Sequence, residues 1–142
     1  MAERDEVCVI IPTYNNASSI LRVIEQTMEY CSHVIVVCDG STDNTLQLLD
    51  TYAGKIEIIS YATNRGKGYA LSRAFALAGA KGYRHAITLD ADGQHYPDEI
   101  PRFVKVMEEH PGALIVGSRS LEQENMPREN TFANRFSNFW FT

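Results

Sequence analysis

Five short apolar runs recur along the chain, each followed by Pro or by polar turn residues, and between them the apolar positions shift to helical spacing. Val7-Cys8-Val9-Ile10-Ile11 is continuously apolar and β-branched until Pro12 stops it, the pattern of a strand buried on both faces. Val34 to Cys38 repeats the pattern, and Ile56–Tyr61, Ala86–Leu89 and Ala113–Gly117 predict three further strands. The intervening segments predict helices. Ile20, Ile24 and Met28, with Leu21 and Cys31 beside them, mark the first, for which Asn16 or Ser18 supplies a cap. Leu46, Leu49 and Ala53 mark the second, and Leu71, Ala74, Phe75 and Ala78 the third, ended by Gly79 or Gly82. Pro97, Asp98 and Glu99 suit the first turn of a fourth, whose inward face is Ile100, Phe103, Val104 and Met107 before Pro111-Gly112. Strict alternation of strand and helix predicts the α/β class, with a mainly parallel sheet and right-handed crossovers.

Past Gly117 the periodicity dissolves. Residues 118–130 are rich in Ser, Glu, Gln, Asn, Pro and Arg and predict a flexible surface loop. Phe132, Phe136, Phe139, Trp140 and Phe141 then return at roughly helical spacing, the start of an aromatic-rich helix over 131–142. Neither a cap nor a turn precedes the final Thr142, so the chain reads as the amino-terminal part of a longer protein. Its 142 residues, 44% hydrophobic, suit one domain with a substantial core. The net charge of -5 speaks against nucleic-acid binding, which needs clustered Lys and Arg. Cys8, Cys31 and Cys38 fit no CxxC spacing and read as reduced packing residues of a cytoplasmic protein. Residues 1–6 are charged and lead directly into a strand, unlike a signal peptide or a membrane span.

Candidate chemistry gathers where the predicted strands end, which is where open α/β sheets bind ligands. After the fourth strand comes Leu89-Asp90-Ala91-Asp92-Gly93-Gln94-His95. If strand geometry persists, Asp90 and Asp92 face one side and reach the same divalent cation, with Gln94 also on that side. Oxygen ligands favour Mg2+ or Mn2+, whose shell is usually completed by substrate phosphate oxygens. Thr13-Tyr14-Asn15, Asp39-Gly40-Ser41 and Asn64 to Lys67 follow the other strands. Taken singly, each cluster is more often what turns and helix caps require than a ligand site, and it is their convergence that points to function. Asp39 is either a turn residue before Gly40 or an acceptor for an N–H of a base or sugar. Ser41 and Asp43 are better read as caps. Arg65 and Lys67 are either a solvated loop or cations set against a diphosphate, which Gly66 and Gly68 would let approach. Tyr14 either stacks on a base or packs over the sheet edge, and His95 reads as a turn residue.

Together and in this order, Ile11-Pro12-Thr13-Tyr14-Asn15-Asn16, Asp39 to Thr45, Asn64-Arg65-Gly66-Lys67-Gly68 and Asp90-Ala91-Asp92 resemble family 2 glycosyltransferases of the GT-A fold. The stretch Asp90 to Pro101, with Gly117-Ser118-Arg119, is similar to the dolichyl-phosphate mannosyltransferase branch of polyprenyl-phosphate glycosyltransferases. The resemblance implies a GT-A α/β/α sandwich and transfer of a sugar, with inversion, from a GDP- or UDP-linked donor. The acceptor would be a polyprenyl phosphate or a saccharide, in making an envelope glycan or glycolipid. By motif, Pro12, Thr13, Tyr14, Asn15 and Asp39 would hold the nucleotide, and Arg65 and Lys67 would lie toward the diphosphate. Asp90, Asp92 and Gln94 would address a Mg2+ or Mn2+ ion, and Asp92 with Arg119 would serve the reaction itself. Cys38 stands where the family often has an acidic residue or Asn, and Asn16 where Glu is frequent. The implied location is cytoplasmic, with peripheral membrane contact near or beyond the carboxyl end.

Three other readings use parts of the same pattern. A haloacid-dehalogenase-like phosphatase also carries DxDG, but on its first strand and followed by Thr or Val, where this chain has the fourth strand and Gln94. A dinucleotide-binding oxidoreductase would follow strand one with GxGxxG, not Pro-Thr-Tyr-Asn-Asn. A non-catalytic nucleotide-binding module would keep the pocket without turnover.

Overall fold

The computed structural model describes residues 6–93, 97–109 and 115–116. Strands β1 (Val7–Thr13), β2 (Val34–Asp39), β3 (Glu57–Tyr61), β4 (His85–Thr88) and β5 (Ile115–Val116) alternate with helices α1 (Ile20–Met28), α2 (Thr45–Leu49), α3 (Lys67–Ala80) and α4 (Ile100–Glu109). All strand pairs are parallel, in the order β3-β2-β1-β4-β5. The predicted α/β class and parallel sheet are therefore present.

β1 is buried along its whole length because it lies between β2 and β4, with Ile11 paired to Val36 and Val9 to Ile87. Its side chains alternate between two cores, as the period of two requires. Val7, Val9 and Ile11 join Ile20 and Ile24 of α1 and Ile100 and Met107 of α4 on one face. Cys8 and Ile10 join Ile35, Val37 and the small face of α3, made of Ala70, Leu71, Ala74 and Ala78, on the other. None of the three thiols is in a disulfide, and burial, then the neighbouring Cys31, pushes the Cys8 thiol up to about 12. At that value it stays protonated and acts as an apolar packing group.

Several predicted elements are corrected. The second helix runs only from Thr45 to Leu49, followed by a 3-10 turn over Asp50–Tyr52. Thr45 and Leu49 face inward, whereas Leu46 is 39% exposed and Ala53 is already extended, ahead of a turn at Gly54 with φ 87. Neither Asn16 nor Ser18 caps α1 by its side chain. Instead the Asn16 carbonyl accepts from the amides of Ser19 and Ile20. Pro97–Glu99 forms a 3-10 turn ahead of α4 rather than its first turn. α3 runs through Gly79, and Gly82, with φ 90, follows its end. The predicted loop over 118–130 and helix over 131–142, with Gln94, His95 and Arg119, lie outside the described residues. Among the described residues no helix is long and apolar enough to cross a membrane.

Candidate nucleotide-binding cleft

In a 3-2-1-4-5 sheet, the crossovers from β1 and β4 leave in opposite directions, and a crevice opens beyond the carboxyl ends of those strands. A cleft of about 370 Å³ lies there, lined by Pro12, Thr13, Tyr14, Asn16, Asp39, Asn64, Gly66, Lys67, Ala70 and Asp90 to Asp92. That volume is within the usual range for a small-molecule site.

β1 delivers the first wall. The Thr13 hydroxyl donates to Asn16 Oδ1 at 2.8 Å, and the Tyr14 amide donates to the same oxygen at 3.1 Å. Tyr14, after this bend, is 46% exposed and lines the cleft. Asn15 adopts the left-handed conformation, φ 56, that Asn tolerates better than most residues. Its amide donates to Ser41 Oγ at 3.0 Å, and its side-chain oxygen accepts from the amides of Thr42 and Asp43 at 2.8 and 3.2 Å. Asn15 thus ties two strand-end loops together and is not among the residues that line the cleft. Asp43 caps α2, as the sequence suggested, by accepting from the Thr45 amide and hydroxyl at 2.9 and 2.5 Å. The Thr45 hydroxyl chiefly, with the amides of Thr45 and Ala17, holds the Asp43 carboxyl below its ordinary value. Its contribution to stability is therefore present above the ordinary carboxylate range and is lost as pH falls through the lowered value.

Asp39 forms the floor. It is only 4% exposed, and its carboxylate accepts from the Arg65 amide at 2.8 Å, the Gly66 amide at 3.0 Å and Asn64 Nδ2 at 3.0 Å. Asn64 Nδ2 also reaches the Asp39 carbonyl at 3.1 Å. An ionised carboxylate has about four acceptor positions, so most of them hold the 64–66 loop. Gly40, φ 68, brings the chain so close beneath this loop that a Cβ there would overlap the backbone of Thr63 and Asn64. Nearby, burial first and the Asp39 carboxylate second raise the Tyr61 hydroxyl above its ordinary value.

The opposite wall follows β4. That strand ends at Thr88, so Asp90 and Asp92 reach the cleft from a turn, not by strand alternation. The turn is pinned from behind by the buried Ser19 hydroxyl, which donates to the Ala91 carbonyl at 2.5 Å. Lys67, the first residue of α3, places its ammonium 2.6 Å from Asp90 Oδ1, with side-chain exposures of 56% and 31%. Arg65 points elsewhere: its guanidinium lies 5.1 Å from the centre of the Tyr69 ring, and it does not line the cleft.

The structure therefore brings together Pro12, Thr13, Tyr14, Asp39, Lys67, Asp90 and Asp92, and leaves Asn15 and Arg65 outside. Asn16, Asn64 and Ser19 are additions. Asn16 was read only as a helix cap, Asn64 stood within a polar cluster whose individual roles sequence spacing did not separate, and Ser19, 72 positions from its partner, carried no local signal. Among the described residues no three His, Cys, Asp or Glu side chains converge as a complete metal cage. Two carboxylates at one cleft nevertheless suit a hard cation whose other ligands come from phosphate and water, and the Lys67 ammonium beside Asp90 marks a position suited to positive charge.

Residues 8–140 match the profile of glycosyl transferase family 2. An undecaprenyl-phosphate 4-deoxy-4-formamido-L-arabinose transferase of Yersinia enterocolitica is 37% identical over 133 residues, covering 87% of this chain and 40% of that protein. Across the first curated relatives, the chain spans 39 to 57% of their length. Among solved structures, S. aureus TarS 1–349 in complex with UDP-GlcNAc matches with a TM-score of 0.57 and 28% identity, over 74% of this chain and 32% of that one. Glucosyl-3-phosphoglycerate synthase from Mycobacterium tuberculosis, in complex with Mn2+, UDP and glucosyl-3-phosphoglycerate, shares the fold with a TM-score of 0.58 at 23% identity, over 75% and 41%. The family match runs through every element that lines the cleft, so the parallel sheet is that of a GT-A fold and the chain belongs to glycosyl transferase family 2.

Proposed function

We propose that this chain binds the donor in an inverting glycosyltransferase, which moves a sugar from a nucleoside-diphosphate carrier to a polyprenyl phosphate. The observation that carries this reading is the lining of one cleft by Asp90 and Asp92 together with Pro12, Thr13, Tyr14 and Asp39. The undecaprenyl-phosphate relative supports the acceptor class, and the UDP-GlcNAc complex of TarS supports the donor class. The cytoplasmic face of a membrane, touched peripherally, is the proposed location, since a polyprenyl phosphate is membrane-held.

The residues divide the work by chemistry. Tyr14 offers an exposed ring for stacking on a base. Asp39 keeps the 64–66 loop against the nucleotide side, with any remaining acceptor position turned to the base or sugar. Asp90 and Asp92 hold a Mg2+ or Mn2+ ion, and Gln94 joins them on the strength of the family motif. Bound there, the ion would neutralise charge that develops on the departing diphosphate. Lys67 and the amino end of α3 add positive potential on the same side, and Arg119 is assigned by motif to the phosphates. A phosphate acceptor is already ionised at neutral pH, so its attack asks little of a general base.

A thermal-shift screen of UDP, GDP and dTDP, with and without Mn2+, tests the reading. At least one diphosphate should raise Tm by about 5 °C or more at a hundredfold excess over Kd, and by less without the metal. Stabilisation indifferent to Mn2+ would favour a non-catalytic nucleotide-binding module, and no stabilisation by any of the three would remove the donor reading.

A further inference from the structure

Lys67 sits where ordinary helix energetics disfavour it. It is the first residue of the 14-residue α3, at the positive end of the helix dipole, and the first turn contains no acidic residue. No Asp or Glu occurs between Glu57 and Asp90. The ammonium is balanced across the cleft instead, at 2.6 Å from Asp90, while the Gly66 amide at the same helix end is balanced by Asp39. A local rule broken at the lip of a binding cleft points to a functional demand.

Resting on the donor-and-metal reading above, we propose that Lys67 occupies the cation position at Asp90 until donor and metal arrive together. Either ligand alone has to separate the pair: the metal needs the Asp90 oxygen, and the diphosphate draws away the ammonium. When both bind, the pair is broken only once. The exchange of counter-ions thereby couples the two ligands, so each binds better in the other's presence, by the same factor in both directions. Without Lys67, the carboxylates would take up metal in the absence of donor.

Calorimetry on the chain and its Lys67→Met and Lys67→Arg variants separates the possibilities, using Mn2+ alone, UDP and GDP in EDTA, and each diphosphate with Mn2+. For a half-exposed pair the effect should be about fivefold. Lys67→Met should bind Mn2+ alone about fivefold more tightly, bind the preferred diphosphate alone about fivefold more weakly, and lose about fivefold in the enhancement of one by the other. Lys67→Arg should keep the wild-type coupling. A residue that only stabilises α3 would shift Tm and move none of these. Wild-type binding of Mn2+ with unchanged or weaker affinity in Lys67→Met overturns this inference and leaves the metal reading standing. Absence of Mn2+ binding with and without diphosphate, in wild type and variants alike, overturns both.

Discussion

Asp39→Ala should destabilise the chain by about 2–4 kcal/mol and abolish nucleotide binding, because one buried carboxylate organises a loop that lines the cleft. Three N–H groups, from Arg65, Gly66 and the Asn64 side chain, converge on it within 3.0 Å. A hydrogen bond to a charged acceptor contributes about 1.5–3 kcal/mol, and water reaching the exposed loop recovers part of what the truncation removes. Asp39→Asn refines the expectation. It keeps the shape but sets an NH2 group against a backbone donor, so it should destabilise by about 1–3 kcal/mol and displace the Arg65 and Gly66 amide resonances. Urea denaturation with amide shifts measures both effects. Midpoints of both variants within error of the wild type would show that Asp39 does not hold the loop.

Gly40→Ala is expected to be at least as damaging, at about 3 kcal/mol or more. Its φ of 68 alone costs a non-glycine residue about 1–2 kcal/mol. The larger part is steric, since the added Cβ would overlap the backbone of Thr63 and Asn64, which cannot rotate away as a side chain could. Gly66→Ala is the informative contrast. Gly66 also has a positive φ, 97, but a Cβ there meets nothing within 4 Å, so only the conformational penalty of about 1–3 kcal/mol remains. Equal destabilisation of the two variants by denaturant titration would rule out the close approach of the two loops as the cause.

The parallel sheet was readable because Val7–Ile11 and Val34–Cys38 are buried on both faces and so form unbroken apolar runs. The inward face of α3 was equally plain in Leu71, Ala74 and Ala78. The second helix was misjudged because in five residues capped by Asp43 the direction of one turn matters more than periodicity: Thr45 and Leu49 point inward while Leu46 faces solvent. Within the cleft, motif order brought Pro12, Thr13, Tyr14, Asp39, Lys67, Asp90 and Asp92 to one place, yet pairwise roles were hidden. Asn15 looked like a ligand contact but spends its side chain on Thr42 and Asp43, a bond between positions 27 and 28 residues apart. The Lys67–Asp90 pair spans 23 positions. Its local trace was a lysine at a helix start with no carboxylate nearby.

Asp90 and Asp92 are expected to make nucleotide binding depend on a divalent ion. Isothermal calorimetry of the diphosphate selected by the thermal screen, titrated into wild type and Asp92→Ala with Mn2+ or with EDTA, tests it directly. The wild type should bind at least tenfold more tightly with Mn2+, and Asp92→Ala, with an unchanged far-ultraviolet spectrum, should lose that difference. Equal wild-type affinity in Mn2+ and in EDTA would show that the Asp90–Asp92 carboxylates hold no ion that nucleotide binding needs.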